Sequence, residues 1–265
     1  MSYVTRALIE ALLIGGLCGA VGTHVVLRRQ PFFVAALTHS TFPGAVLASL
    51  AGVSIYLGAG ASALIMAAVA AGLGRVRGQG AATAAGVVLA SGFALGVVLQ
   101  STQDGFARDL NSFLVGSILT VSDTDLWTAA GSLAVVLVVL AAIGKELLFG
   151  AFDPHGFRAA GYRAWAYDFV LLLLVALTAV TAMPAVGTIL ALALIVAPAA
   201  AARLWTHRVG PMTIASMTIG MACGAGGLYL ADATGRSAGG VITLFAAVIF
   251  IASLAATSVR LRLRA

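Results

Sequence analysis

The chain has 265 residues, of which 61% are hydrophobic and only 9% charged. A soluble domain carries about a quarter charged residues, so this composition excludes an ordinary water-exposed fold and reads as one integral membrane domain, 1–265, of many helices. The net charge of +6 does not point to nucleic acid: no basic run is interleaved with aromatic residues, and the basic residues sit between apolar spans.

The apolar runs predict an all-α polytopic bundle with nine spans, near 7–27, 31–57, 59–74, 81–100, 126–144, 166–183, 186–203, 211–231 and 240–259. The first holds Cys18. Large Leu17 before it, and a span that runs on to Leu27, argue that the segment is retained rather than cleaved. Cys18 and Cys223 form no CxxC and no Cys/His cluster, so no closed zinc site is written here, and both read as small reduced membrane residues.

The second span is too long for one straight helix, because 27 residues extend about 40 Å against about 30 Å of hydrocarbon. The predicted break is His39–Gly44. His39 falls about 15 Å along the helix from the Arg28-Arg29 pair, near the middle of a bilayer, where an ionisable group is costly and a candidate for function. Pro43-Gly44 is expected to interrupt the helix and free backbone carbonyls, which makes Thr38, Ser40, Pro43 and Gly44 candidate lining residues of a path. From the residues alone His39 has two readings: a neutral packing histidine bonded to a neighbouring helix, or a transient metal ligand.

Further along, 101–125 contains an apolar piece, 113–119, too short to span, which is either re-entrant or interfacial. The segment 145–165 is the largest loop on its side. In it Asp153 can N-cap a short helix with Pro154 at its first position, and Gly161 can end it. Such a helix suits a docking partner, with Phe152 and Phe157 filling a groove on that partner. Asp168 opens the sixth span as an N-cap, a partner for an arginine, or a group for ion release. Asp104, Asp109, Asp123, Asp125 and Asp232 read as solvated loop acids, and His24, His155 and His207 as ordinary loop or interface residues. The pairs Gly15/Gly19, Gly92/Gly96 and Gly220/Gly224 predict close helix packing.

Charge orients the bundle. With the N-terminus outside and the C-terminus inside, the inner regions hold Arg28, Arg29, Arg75, Arg77, Lys145, Arg158, Arg163, Arg203, Arg208, Arg260, Arg262 and Arg264, twelve of the 15 basic residues. Only Arg6, Arg108 and Arg236 are outside, with Glu10 among the outer acids. No Walker A motif, HExxH, or GxSxG in a strand–turn–helix setting occurs, so the chain reads as a non-enzyme, and any ATP hydrolysis belongs to another chain.

Several strings together resemble the ABC-3 family of metal permeases. Leu27-Arg28-Arg29 ends the first span as that family's does, and Ala36-Leu37-Thr38-His39-Ser40-Thr41-Phe42-Pro43-Gly44 is similar to its A-L-S-H-A-x-x-P-G signature. Phe113-Leu114-Val115-Gly116-Ser117-Ile118-Leu119 resembles F-G-S-I-L, and Phe152-Asp153-Pro154 through Ala160-Gly161 resembles F-D-P-x-x-A-x-x-x-G. Ala185-Val186-Gly187 and the run from Ala193 to Ala200 resemble A-V-G and A-L-L-I-x-P-A-A. Two departures stand out: Ala35 where the family commonly has Asp, and Ser237-Ala238-Gly239 for its P-S-G.

The resemblance implies a permease of a bacterial zinc/manganese ABC importer in the cytoplasmic (inner) membrane. It implies a homodimer, a cytoplasmic ABC ATPase subunit docked at Phe152, Asp153, Pro154, Phe157 and Gly161, and an extracellular metal-binding protein above. His39 would lie on the ion path, with Asp168 a second candidate. No cofactor is held permanently; Zn²⁺ or Mn²⁺ is cargo. Without the carboxylate at Ala35 the expectation leans to zinc, since a hard carboxylate suits manganese and imidazole suits zinc. The alternative is a self-contained secondary transporter or drug/metabolite exporter, whose halves usually show a repeat symmetry that this sequence lacks.

Overall fold

The computed structural model describes residues 3–73, 81–101, 116, 118 and 121–262. Among them every regular element longer than one residue is helical: α1 (Tyr3–Leu27), α2 (Pro31–Leu50), α3 (Ile55–Leu73), α4 (Ala81–Ser101), α5 (Asp123–Phe152), α6 (Pro154–Ala159), α7 (Ala164–Val186), α8 (Thr188–Trp205), α9 (Val209–Thr234) and α10 (Ala238–Arg262). Seven are long and apolar enough to cross a bilayer, namely α1, α2, α4, α5, α7, α9 and α10. In α3 and α8 the described apolar stretches are Ile55–Ala70 and Ala191–Trp205.

The second predicted span is corrected. No break occurs at His39–Gly44: α2 runs through Pro43 and stops at Leu50. The divide expected near Leu57-Gly58 falls instead at 51–54, where Gly52 takes a left-handed φ of 66°. There the Val53 N–H donates to the Ala48 carbonyl at 2.9 Å and the Gly52 N–H to Ser49 at 3.3 Å, a left-handed helix stop that glycine adopts without Cβ strain. Helix α5 is longer than its predicted span at both ends. Ser122 and Asp125 cap each other's backbone N–H groups at its start, and it continues past Lys145 to Phe152.

Close packing follows the predicted glycine pairs. The most extensive helix contact is α1 against α9. A Cβ on Gly15 would overlap the Gly220 carbonyl, and one on Gly19 the Ser216 backbone. Gly22 has the same relation to the Ile195 carbonyl in α8, and Gly92 and Gly96 meet Ser40 and Phe42 of α2. Around these seams Ile14, Leu17, Cys18, Leu194, Ile195 and Cys223 form the core, and both cysteines are free thiols.

The outer surface is apolar where a soluble protein would be charged. Val135 and Val138 on α5, Leu244, Val248 and Ile251 on α10, and Val87 and Val98 on α4 are all exposed. Trp127, Trp165 and Trp205 are exposed near helix ends, where amphipathic rings anchor a membrane protein at the headgroup level. This is the surface of a multi-pass membrane protein.

Ion pairs check the alternation of the helices. Arg6 near the start of α1 meets Asp123 at the start of α5 at 3.0 Å, and Tyr56 at the start of α3 donates to Asp125. At the other end of α1, Arg28 reaches Asp168 near the start of α7 and Leu147 late in α5. Helices α1, α3 and α5 therefore run one way and α7 the other.

Candidate translocation site and docking loop

Helix α2 carries the site. Thr38 and Ser40 are fully buried, and their hydroxyls bond back to the Ala35 carbonyl at 3.0 Å and the Ala36 carbonyl at 2.6 Å. Thr41 does the same to Thr38 at 2.6 Å. Pro43 has no N–H to offer the His39 carbonyl, and a Ser62 hydroxyl from α3 donates to the next carbonyl, that of Ser40. Side chains and a neighbouring helix thus hold a segment that proline alone would open, which is why the helix persists.

His39 is half-buried. Its Nδ1 is buried without a hydrogen-bond partner, and its ring meets the edge of Phe93 from α4 with centroids 5.7 Å apart. Gly44 lets α3 approach, since a Cβ there would overlap the Gly58 carbonyl. Pro43 and Gly44 line a cavity of about 490 Å³ with Gly58, Ser62, Met66 and Leu95. Ala35 lines a separate apolar groove of about 580 Å³ with Phe32, Leu192, Val196 and Phe250. Among the described residues no three His, Cys, Asp or Glu side chains gather to hold a metal ion.

Asp168 lies elsewhere. It is paired with Arg28, lies inside α7 rather than at the N-cap, which is Arg163, and borders a cleft of about 340 Å³ with Gln30, Pro154, Phe157 and Arg158.

The loop around α6 has the predicted local chemistry. Asp153 accepts from the Gly156 N–H at 2.8 Å, Pro154 opens α6, and Gly161, with φ 86°, ends the turn after it. The Tyr162 N–H closes that turn on the Phe157 carbonyl at 3.2 Å. One expectation is corrected. Phe157 does not face a partner: it is 1% exposed, stacks on Tyr162 at 4.7 Å and meets the edges of Phe149 and Tyr167. An apolar ring in a six-residue helix gains most by burial in its own chain, so Phe157 anchors α6. Phe152 is 68% exposed.

The remaining polar residues are placed as follows. Glu10 is 1% exposed inside α1, interacts electrostatically with Asp125 and Tyr56, and has one oxygen without a hydrogen-bond partner. Asp125 belongs to the capping box of α5, and Asp123, 65% exposed at its side chain, pairs with Arg6. His24 is buried in the last turn of α1, while His155, His207 and Asp232 are exposed. Arg75, Arg77, Asp104, Arg108, Asp109, Arg264 and residues 102–115 lie outside the described residues. Of the 113–119 piece, Ile118 is buried and Gly116 packs backbone to backbone on Ala185-Val186-Gly187, so two of the family-like strings meet.

A lipid-facing helical bundle with a buried, unpartnered His39 Nδ1 on a proline-bearing helix, and a capped helix between two long spans, is the architecture of a multi-pass membrane protein. The chain belongs to the ABC 3 transport family, whose model matches residues 1–257. It is 34% identical over 254 residues to the manganese import system permease protein ScaB of Streptococcus gordonii, covering 95% of this chain and 90% of that one. It is 32% identical to the manganese transport system membrane protein MntC of Halalkalibacterium halodurans, over 94% and 85%. Among solved structures, PsaBC from Streptococcus pneumoniae in complex with Fab superposes with a TM-score of 0.87 at 32% identity, covering 96% and 91%. An inward-facing putative metal-chelate type ABC transporter shares the fold, with a TM-score of 0.74 at 16% identity over 94% and 85%.

Proposed function

We propose that this chain is the permease subunit of an ATP-driven importer of a divalent transition-metal ion in a bacterial cytoplasmic membrane. It works as one of two copies around the path. The observation that carries the reading is His39: an imidazole on α2, with Nδ1 buried and unpartnered, one turn before a proline that leaves a carbonyl free. A single neutral imidazole with carbonyl neighbours is a weak site, which lets an ion leave as well as arrive. Thr38, Ser40, Pro43 and Gly44 shape that stretch of the path.

Nine crossings with the N-terminus outside agree with the Lys/Arg distribution and with the helix directions that the ion pairs give. The Arg28 end is then cytoplasmic. A separate ATPase subunit docks on α6 through Phe152 and the helix that Asp153 and Pro154 begin, and an external metal-binding protein delivers cargo at the opposite end. No bond in the cargo is made or broken by the chain.

For the metal, the relatives' names point to manganese. The donors around His39 pull the other way, since Ala35 offers no carboxylate and imidazole suits zinc. Manganese is the first cargo and zinc its competitor. Co-purification tests the class: the chain is expected to elute with an ATP-hydrolysing subunit, and full transport activity in liposomes by the chain alone would overturn the importer.

A further inference from the structure

The contact between Arg28 and Asp168 joins parts of the fold whose tasks are otherwise separate. Arg28 follows the last turn of α1, its N–H donating to the His24 carbonyl at 3.0 Å. Its side chain is only 8% exposed. One guanidinium nitrogen meets Asp168 in α7, and the other donates to the Leu147 carbonyl in α5 at 3.1 Å. Helices α5 and α7 are the two legs that flank α6. One planar fork therefore grips both legs of the hairpin that carries the docking helix, a geometry that guanidinium provides and a single ammonium does not.

On its other side Arg28 leads directly into α2. Arg29 takes a left-handed φ of 55°, and Gln30 precedes Pro31 at the helix start. A link this short transmits a shift of its first residue to α2, and His39 lies about two and a half turns further on. The cleft around the pair is walled by Gln30, Pro154, Phe157 and Arg158, so pressure on α6 moves the surroundings of the guanidinium itself.

We infer that Arg28 is a positioning residue for transport. Through Asp168 and the Leu147 carbonyl it passes movement of the α5–α6–α7 hairpin to the α1–α2 turn, and so to the segment bearing His39. This rests on the ATP-driven reading above. Helix α7 also packs directly on α1 and α2, so losing the clasp slackens the coupling rather than severing it.

The test uses the complete permease–ATPase complex in proteoliposomes and reads Mn²⁺ taken up per ATP hydrolysed, alongside the thermal midpoint. Arg28→Gln and Asp168→Asn are each expected to lower that ratio about tenfold. The double variant should be no worse than the poorer single one, because both remove the same contact. Arg28→Lys, which keeps the charge without the fork, should fall between. Asp168→Asn is isosteric on a side chain 52% exposed, and it decides the matter alone if Arg28→Gln fails to assemble. Single variants that keep the wild-type ratio, whatever their midpoints, overturn the inference, as does a double variant whose loss is the product of the two. Wild-type complex that hydrolyses ATP without taking up metal overturns the importer reading instead.

Discussion

Tyr56 and Asp125 show what a half-buried polar contact contributes at the scale of one residue. Asp125 takes the Tyr56 hydroxyl, the Ser122 hydroxyl at 2.7 Å and the Ser122 N–H at 2.8 Å, with the Glu10 carboxyl nearby. Tyr56→Phe removes one donor from a crowded acid pair, so a loss of about 1–3 kcal/mol is expected, read as a lowered thermal midpoint in detergent. An unchanged midpoint would mean that the tyrosine does not support the α3–α5 junction. What singles out His39 as a candidate was legible in sequence, because its residue type and the following Pro43 are local facts. Glu10 was not. Its burial depends on Tyr56 of α3 and Asp125 of α5, which are distant in sequence. The unbroken α2 was hidden for the same reason: the Ser62 hydroxyl that meets the Ser40 carbonyl belongs to another helix.

At the scale of an element, glycine separates seams from open faces. A Cβ on Gly22 would run into the Ile195 carbonyl, which is backbone and cannot swing aside. Gly22→Val is therefore expected to cost about 1–3 kcal/mol or more and to force α1 from α8. Gly131 is the contrast, helical with nothing within 4 Å of an added Cβ, so Gly131→Ala should stabilise α5 by about 1 kcal/mol. Thermal midpoints of the two variants check both, and a Gly22→Val protein as stable as wild type would contradict the packing account. Gly161 is a third case, where space is open but φ is 86°. Gly161→Leu strains the turn after α6 by about 1–2 kcal/mol. It is expected to uncouple ATP hydrolysis from uptake, and unchanged metal-stimulated ATPase activity would count against that. The glycine spacings and the cap of α6 were readable from sequence because they are short-range patterns. The α2–α3 divide was misplaced because Gly52 and Gly58 look alike in sequence, and only the first sits where φ is positive.

The whole molecule was legible as a class before its helices were placed. Apolar content excluded a soluble fold, and the Arg6–Asp123 and Arg28–Asp168 pairs set α1 and α5 in one direction and α7 in the other, the alternation that the predicted spans imply. What sequence could not supply was the pairing of helices, such as α1 with α9, or the burial of Phe157 under its own loop. Those depend on which surfaces meet after the chain has folded. The central claim is that this bundle moves a divalent metal inward past His39 when a partner hydrolyses ATP. The most direct measurement is Mn²⁺ uptake, with Zn²⁺ in competition, into liposomes holding the permease–ATPase complex, for wild type and His39→Ala. The account predicts ATP-dependent uptake by wild type and its loss in the variant, with assembly intact. Normal uptake by His39→Ala would remove the histidine from the path and contradict the account.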